Sequence, residues 1–141
     1  MATKREQILA ALKTSLTGTT GAGTRIYRSR VEPFVRGESI AVVLEPVSDT
    51  PTDQTIYEKI TWDFRVRISV IVRGSIPDSN ADSTVESLHA KVMTDPTIGG
   101  LAIDIKPSTT TFEIVEADQP AGVISCEYDI EYRTSFNNLS T

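Results

Sequence analysis

The sequence predicts an α+β fold, in which two amphipathic helices pack on one face of a mainly antiparallel or mixed β-sheet. Apolar residues recur at helical spacing over residues 4–16 and again between Val85 and Val92. Every even position from 60 to 72 is apolar instead, which is the two-residue period of a strand with one buried face. The expected element order is α-β-β-β-α-β-β-β, in a single domain that spans residues 1–141.

The composition argues against several classes of protein. The chain of 141 residues is long enough to bury a core, and Cys126 is the only cysteine, so no intrachain disulfide can form. The formal charge of −5 disfavours binding to nucleic acid, because the release of counterions from phosphates requires clustered cations. No stretch approaches the roughly 18 uninterrupted apolar residues of a membrane span, and residues 1–6 lack the apolar run of a signal peptide. We therefore expect a soluble protein made in the cytoplasm, with no membrane partner.

The first helix is predicted over residues 4–16. Thr3 and Glu6 form a T-x-x-E capping box at its start, and Gly18 is expected to end it. The apolar stripe of this segment is one-sided, which indicates a helix that lies on a core rather than inside one. The stripe consists of Ile8, Leu9, Leu12 and Leu16.

Three strands are predicted between the two helices. A short one covers residues 25–27, and a second covers residues 40–44, where Pro46 is expected to end regular pairing. The alternation over residues 60–72 predicts a third strand of about 13 residues, which is well beyond the usual ~5–6.

The second helix is predicted to follow the capping-box pattern of residues 83–86, with a turn over residues 75–80 before it. The Asp95-Pro96 pair is expected to break this helix, because the residue before a proline disfavours the helical conformation. A strand follows over residues 101–105, and Pro107 is expected to close it.

Two further strands are predicted over residues 111–115 and 123–134. The outward positions of the last strand are acidic, and those of the strand over 60–72 carry arginines, so we expect these two strands to pair antiparallel. The acidic residues are Glu127, Asp129 and Glu131, and the arginines in and beside the long strand are Arg65, Arg67 and Arg73. Residues 135–141 are expected to form a flexible C-terminal tail.

A catalytic interpretation depends on His89 and Cys126, the only histidine and the only cysteine. A small cytosolic enzyme would use them as a pair, since a thiol needs a nearby base to act as a nucleophile. We favour a structural interpretation, with His89 at the boundary of an apolar helical stripe and Cys126 at an inward strand position. One histidine, one cysteine and scattered carboxylates provide no ligand cluster for zinc or calcium. The prediction is a non-enzymatic protein with no catalytic residue, cofactor or metal.

Residues 25–36 combine four arginines with two aromatic residues. Both residue types are enriched at interface hot spots, so this segment is a candidate contact with another subunit or partner. A solvated loop is the alternative interpretation, and an RNA site is disfavoured by the acidity of the whole chain. The residues are Arg25, Arg28, Arg30 and Arg36, with Tyr27 and Phe34.

Three segments resemble the tail terminator proteins of tailed phages, the family of the lambda minor tail protein U type. Asp95–Ala102, which follows a predicted helix and precedes a predicted strand, resembles the Asp-Pro-Thr-Leu-Gly-Gly segment of that family. Tyr128–Thr134 resembles its closing strand, and the loop from Arg30 to Pro33 that leads into the strand over 40–44 is also similar. The resemblance spans most of the chain, and the order of the segments makes it more specific than any one of them.

The resemblance implies a subunit of the virion that assembles in the host cytoplasm into a hexameric ring at the head–tail interface. Such a ring caps the tail tube, stops its polymerisation and provides the surface on which the head docks. The implied partners are the tail tube protein and a head-completion or neck connector protein, while DNA passes through the lumen without specific binding. We select Arg28, Arg30, Asp95 and Arg133 as candidate interface residues. The alternative within this class is a head-completion or neck connector protein, one layer higher in the same connector.

Overall fold

The computed structural model describes residues 2–19, 23, 26–28, 40–54, 59–73, 77–115 and 121–141. Within these ranges two helices and five strands form the α+β fold that the sequence predicts. In chain order they are α1 (Lys4–Leu16), β1 (Ile26–Arg28), β2 (Ile40–Gln54), β3 (Lys59–Arg73), α2 (Pro77–Met93), β4 (Asp104–Val115) and β5 (Ala121–Ser135).

The five strands form one mixed sheet in the order β1-β2-β3-β5-β4. β1 runs parallel to β2, and every other neighbouring pair is antiparallel. The predicted antiparallel pairing of β3 with β5 is confirmed, with Arg65 opposite Asp129 and Arg67 opposite Glu127. Opposite charges on facing positions therefore agree with the register that the apolar pattern requires.

The core lies between the helices and one face of the sheet. The even-numbered residues of β3 from Phe64 to Val72 are buried, and those of β5 from Ile124 to Tyr132 are buried beside them. Each fully buried aliphatic or aromatic side chain contributes about 1.5–3 kcal/mol relative to an exposed one, so this face supplies much of the driving force for folding. The helices complete it with Ile8, Leu9, Leu12, Leu16, Ala81, Leu88 and Val92.

The start of α1 forms only half of the predicted capping box. The Thr3 hydroxyl accepts a hydrogen bond from the Glu6 backbone N–H at 3.2 Å, as the motif requires. The Glu6 carboxylate, however, pairs with Arg28 on β1. At the other end, Gly18 has a φ of 93°, so the predicted stop is confirmed.

β2 continues to Gln54, so the prediction that Pro46 ends it was wrong. The register of β2 against β3 shifts between Pro46 and Ser48, and again between Pro51 and Asp53. β1 pairs only with residues 42–44 of β2, so beyond Leu44 this side of β2 has no neighbouring strand in the described part of the chain. A strand with one open side and a register shift accommodates a proline, which has no backbone N–H to donate.

β4 is one strand of twelve residues, where two were predicted over 101–105 and 111–115. The element order is accordingly α-β-β-β-α-β-β. Pro107 does not end the strand, because β4 lies at the edge of the sheet and its register shifts between Pro107 and Thr109. An edge position with a bulge accommodates a proline.

α2 begins at Pro77, so the prediction of a turn over residues 77–80 and a capped start at 83–86 was wrong. Proline suits the first position of a helix, because its fixed φ is helical and its missing N–H would be unpaired there. The Thr84 side chain is fully buried in the helix, which places it against the core rather than at a cap.

Residues after β5 fold back to the start of α1. The Lys4 backbone N–H donates to the Leu139 carbonyl at 2.7 Å, and the Ser135 and Thr141 hydroxyls are 2.8 Å apart. Leu139 therefore satisfies one of the N–H groups that the first turn of a helix leaves unpaired.

Candidate assembly surface

The outer face of the sheet, opposite the helices, carries a band of paired charges. Arg65 Nε donates to Asp129 Oδ1 at 2.9 Å, and Arg67 Nη1 donates to Glu45 Oε1 at 3.3 Å. These side chains are partly exposed, so each pair contributes less than about 1 kcal/mol to stability. The signs alternate across β2, β3 and β5, because Arg67 lies opposite both Glu45 and Glu127.

One row of this face is acidic on β3, β5 and β4, and it continues to Thr50 on β2. Asp63 on β3 lies opposite Glu131 on β5, and Glu131 lies opposite Asp104 on β4. Burial, followed by repulsion from Asp129, raises the pKa of Asp63. Like charges on facing positions oppose folding, so this row is not explained by the stability of the monomer. It lines a shallow depression with Thr52, Lys106 and Asp129. Across the described ranges, no group of three or more His, Cys, Asp or Glu side chains could hold a metal ion.

Two large apolar side chains are exposed on β4, the edge strand of the sheet in the described part of the chain. Phe112 and Ile114 on β4 are each 69% exposed, whereas Ile105 near the start of the same strand is only 1% exposed. Phe112 lies opposite the buried Ile124, so it points to the face of the sheet that carries the helices. The cover that the helices give to this face therefore ends before Phe112.

The first turn of α1 connects three strands through charged groups. Arg28 on β1 forms two hydrogen bonds with the Glu6 carboxylate, at 2.6 and 2.8 Å, and this pair lowers the pKa of Glu6. Arg5 Nη1 lies 3.3 Å from Asp49 Oδ2 on β2, and Lys4 Nζ donates to the Arg133 carbonyl on β5 at 3.0 Å. The start of the helix is therefore fixed against the sheet by polar contacts as well as by its apolar stripe.

The candidate interface residues lie on separate elements. Arg28 is on β1 and is paired with Glu6, while Arg133 is near the end of β5, where its Nε donates to Thr61 Oγ1 at 3.1 Å. Two strands, β2 and β3, separate β1 from β5. Arg30, like Arg25 and Arg36, lies outside the described residues.

Asp95 organises the turn after α2. Its carboxylate accepts hydrogen bonds from the Thr97 N–H at 3.1 Å, the Thr97 hydroxyl at 2.8 Å and the Gly99 N–H at 2.7 Å. These bonds, led by the one from Gly99, lower the pKa of Asp95. Gly99 and Gly100 both have positive φ, which explains the glycine pair. Both carboxylate oxygens are thus used within the turn.

His89 and Cys126 have different environments. His89 is on the exposed side of α2, and its Nδ1 lies 2.9 Å from the Tyr128 hydroxyl. Cys126 is buried on β5, and burial raises the pKa of its thiol, with a hydrogen bond from Thr110 opposing that shift. A thiol with a raised pKa is protonated at neutral pH and reacts slowly as a nucleophile.

Sequence reasoning missed the exposure of Phe112 and Ile114. Their alternation with Thr111 and Glu113 is typical of any strand with one buried face, so it predicts a strand but not its place in the sheet. β4 lies at the edge because β5, although it comes later in the chain, lies between β3 and β4 in the sheet. No local sequence pattern encodes this strand order.

Comparison with known proteins gives a distant likeness of fold. A chain in the virion of a native gene transfer agent particle is similar, with 17% identity over 92% of this chain and 91% of that chain and a TM-score of 0.49. A second solved chain shares 13% identity over 91% of this chain and 93% of its own, with a TM-score of 0.40. Likenesses this distant carry no argument about function. No family model and no curated protein matches the sequence. In the described ranges, neither helix has the length and apolarity needed to span a membrane.

Proposed function

We propose that this protein is a structural subunit of a virion that acts as a tail terminator. The observation that carries the proposal is the exposure of Phe112 and Ile114 on β4, which is an edge strand in the described part of the chain; no described residue covers this apolar surface. The assignment to tail terminators among assembly proteins rests on the resemblance of residues 95–102 and 128–134 to that family.

The mechanism is the masking of a growing end. A ring of this protein, hexameric by the family resemblance, binds the last ring of tail tube protein and presents a different surface to the next tube subunit, so polymerisation stops. The opposite face of the ring then receives the head-completion or neck connector protein. A ring needs a heterologous interface, in which one patch on each subunit meets a different patch on the next.

Charge supports this arrangement. The formal charge of −5 suits a lumen through which DNA passes, because an acidic wall repels phosphates. The ordered charges of the outer sheet face suit recognition of protein partners, since charge pattern controls which surfaces can dock. The protein would reside in the virion, at the junction of head and tail.

Particles assembled without this protein test the proposal. We expect overlong tails without heads in negative-stain images, because nothing stops the tube or receives the head. Virions of normal length would contradict the proposal.

The choice between a terminator and a connector one layer higher depends on the direct partner. A pull-down with the purified protein should retain tail tube protein and not the portal or its adaptor. Retention of the portal or adaptor alone would favour the connector.

A further inference from the structure

β4 is accessible to another chain along most of its length. Every residue from Lys106 to Ile114 is exposed, and these side chains are distributed over both faces of the sheet. In the described part of the chain, β5 is the only strand that pairs with β4. Lysine, proline and a bulge usually discourage pairing at a sheet edge, and in β4 all three lie before Thr109. Residues 109–114 are therefore open to a further strand.

The two charged residues of this exposed stretch are placed symmetrically. Lys106 lies four positions before Thr110, and Glu113 lies three positions after it. Ser108 has no partner on β5, because the register shifts at that residue, and this bulge takes up one position. Counted in paired positions, the cation and the carboxylate are therefore equally distant from Thr110.

Both charges also point to the outer face of the sheet. Lys106 lies opposite Asp129 and Glu113 lies opposite Val123, which are two outward positions of β5. Phe112 and Ile114 point to the opposite face, the one that carries the helices. The pattern of charged and apolar side chains along β4 is therefore complementary to itself when one copy is reversed.

A two-fold axis through Thr110, perpendicular to the sheet, would set Lys106 of each copy opposite Glu113 of the other. The remaining facing residues also share a face of the sheet, and none of these pairs brings like charges together. They are Thr110 with Thr110, Thr111 with Thr109, Phe112 with Pro107 and Ile114 with Ile105. An axis through Thr111 instead would set Glu113 opposite Thr109 and lose both ion pairs.

We propose that two copies of this chain pair through β4, antiparallel and centred on Thr110, so that the two sheets join into one. The occupant of the β4 edge is a second copy, because the charges of β4 match those of its own reversed sequence. Such an interface is isologous, and each contact away from the axis occurs twice. The pair covers Phe112 and Ile114, so this inference goes beyond the proposed function: the free protein is a dimer that hides its apolar surface.

Disulfide crosslinking tests the centre of the pairing. Thr110→Cys, with Cys126→Ala to remove the native thiol that lies opposite, places two thiols at the two-fold axis. Facing residues of an antiparallel pair have Cβ atoms about 4.5–5.5 Å apart, close enough for a disulfide after a small adjustment. Mild oxidation should give a covalent dimer on a non-reducing gel. Ser83→Cys in the same background is the control for random collision, because Ser83 is exposed on α2, and it should stay monomeric.

Two results of the crosslinking would overturn the inference. One is a Thr110→Cys variant that gives no more dimer than the Ser83→Cys control. The other is a Thr111→Cys variant that forms the dimer faster than Thr110→Cys, since it would place the axis elsewhere.

Charge reversal provides a second test that does not depend on disulfide geometry. Glu113→Lys sets two cations opposite each other in both symmetric contacts, so the dissociation constant of the dimer should rise by about tenfold or more in sedimentation equilibrium. Adding Lys106→Glu in the same chain restores opposite charges and should restore the affinity. Glu86→Lys is the matched control, because Glu86 is exposed on α2 and the change in net charge is the same. A double variant no tighter than Glu113→Lys alone would overturn the inference.

Particle assembly separates failure of the inference from failure of the proposed function. A wild-type protein that is monomeric in sedimentation, but whose absence from particles gives overlong tails, would reject the pairing and leave the tail terminator intact. Dimers that respond to charge reversal, together with virions of normal length in the absence of the protein, would support the pairing and reject the terminator.

Discussion

The Tyr132 hydroxyl on β5 donates a hydrogen bond to Asp49 Oδ2 on β2, across the intervening strand β3. Arg5 on α1 binds the same carboxylate oxygen, so one buried group connects two strands and a helix. The Asp49 side chain is only 8% exposed, and its other oxygen, Oδ1, has no hydrogen-bond partner in the described part of the chain. Burial also raises the pKa of Tyr132, which keeps its hydroxyl protonated as the donor.

Asp49 should make stability depend on pH. Burial raises the pKa of Asp49, and the bonds from Tyr132 and Arg5 offset only part of that shift. The folded state therefore holds this proton more tightly than the unfolded chain, whose Asp pKa is about 3.9. The stabilisation is full below that value and is lost as pH rises through the folded pKa. In urea unfolding between pH 3 and 7, the free energy of unfolding of the wild type minus that of Asp49→Asn should fall as pH rises.

Glu6→Gln is the control of opposite sign. The hydrogen bonds from Arg28 lower the pKa of Glu6, so its stabilisation is present above the unfolded pKa and is lost as pH falls through the folded one. The free energy of unfolding of the wild type minus that of Glu6→Gln should therefore rise with pH. Slopes of the same sign for both variants would contradict the assignment.

The Tyr132→Phe variant should be destabilised by about 1.5–3 kcal/mol, because a hydrogen bond to a buried charged group is lost. Tyr128→Phe removes a hydroxyl that bonds the exposed His89 instead, so a smaller loss, near the ~1 kcal/mol of a neutral hydrogen bond, is expected. Chemical denaturation of both variants measures the difference. An equal loss of stability in the two variants would mean that the hydrogen bond to Asp49 contributes no more than the one to His89.

Two phenylalanines, on β3 and on β4, should respond differently to truncation. Phe64→Ala should cost about 3–5 kcal/mol of stability, because Phe64 is fully buried in the core. Phe112→Ala should change the stability of the monomer by no more than about 0.5 kcal/mol, since its side chain is mostly exposed. Thermal unfolding at a concentration where the protein is monomeric measures both. A large loss for Phe112→Ala would show that this side chain packs within its own chain.

Cys126 should resist alkylation in the native protein. Its thiol is buried and its pKa is raised, so little reactive thiolate is available. The rate of modification by iodoacetamide should be far lower at neutral pH than in urea, where the chain is unfolded. Equal rates would reopen the interpretation of Cys126 as a nucleophile beside His89.

The sequence predicts the centre of this fold better than its margins. The alternation in β3 and the acidic positions of β5 are strong signals, because each is repeated over many residues and both require the same register. The apolar stripe of α1 is equally clear, and its four residues are all buried.

The errors concern positions where a local signal depends on the neighbours in space. Pro46 and Pro107 break a strand only if a ladder bond needs their N–H, and each lies beside a register shift in a strand that has one side without a neighbour in the described chain. The Ser83–Glu86 pattern matches a capping box, yet the helix already begins at Pro77. The candidate surface at Phe112 was missed for the same reason, since exposure there follows from the order of strands.

The contact between Lys4 and Leu139 brings the two ends of the described chain to one corner of the molecule. That corner adjoins Ser135, at the end of β5. Ile124, the residue opposite Phe112, lies eleven positions earlier in the same strand. At the usual rise of a strand, Ser135 and Ile124 are roughly 36 Å apart. An affinity tag or fluorophore attached at either terminus would therefore emerge far from the exposed apolar pair, and purification through such a tag should leave self-association undisturbed.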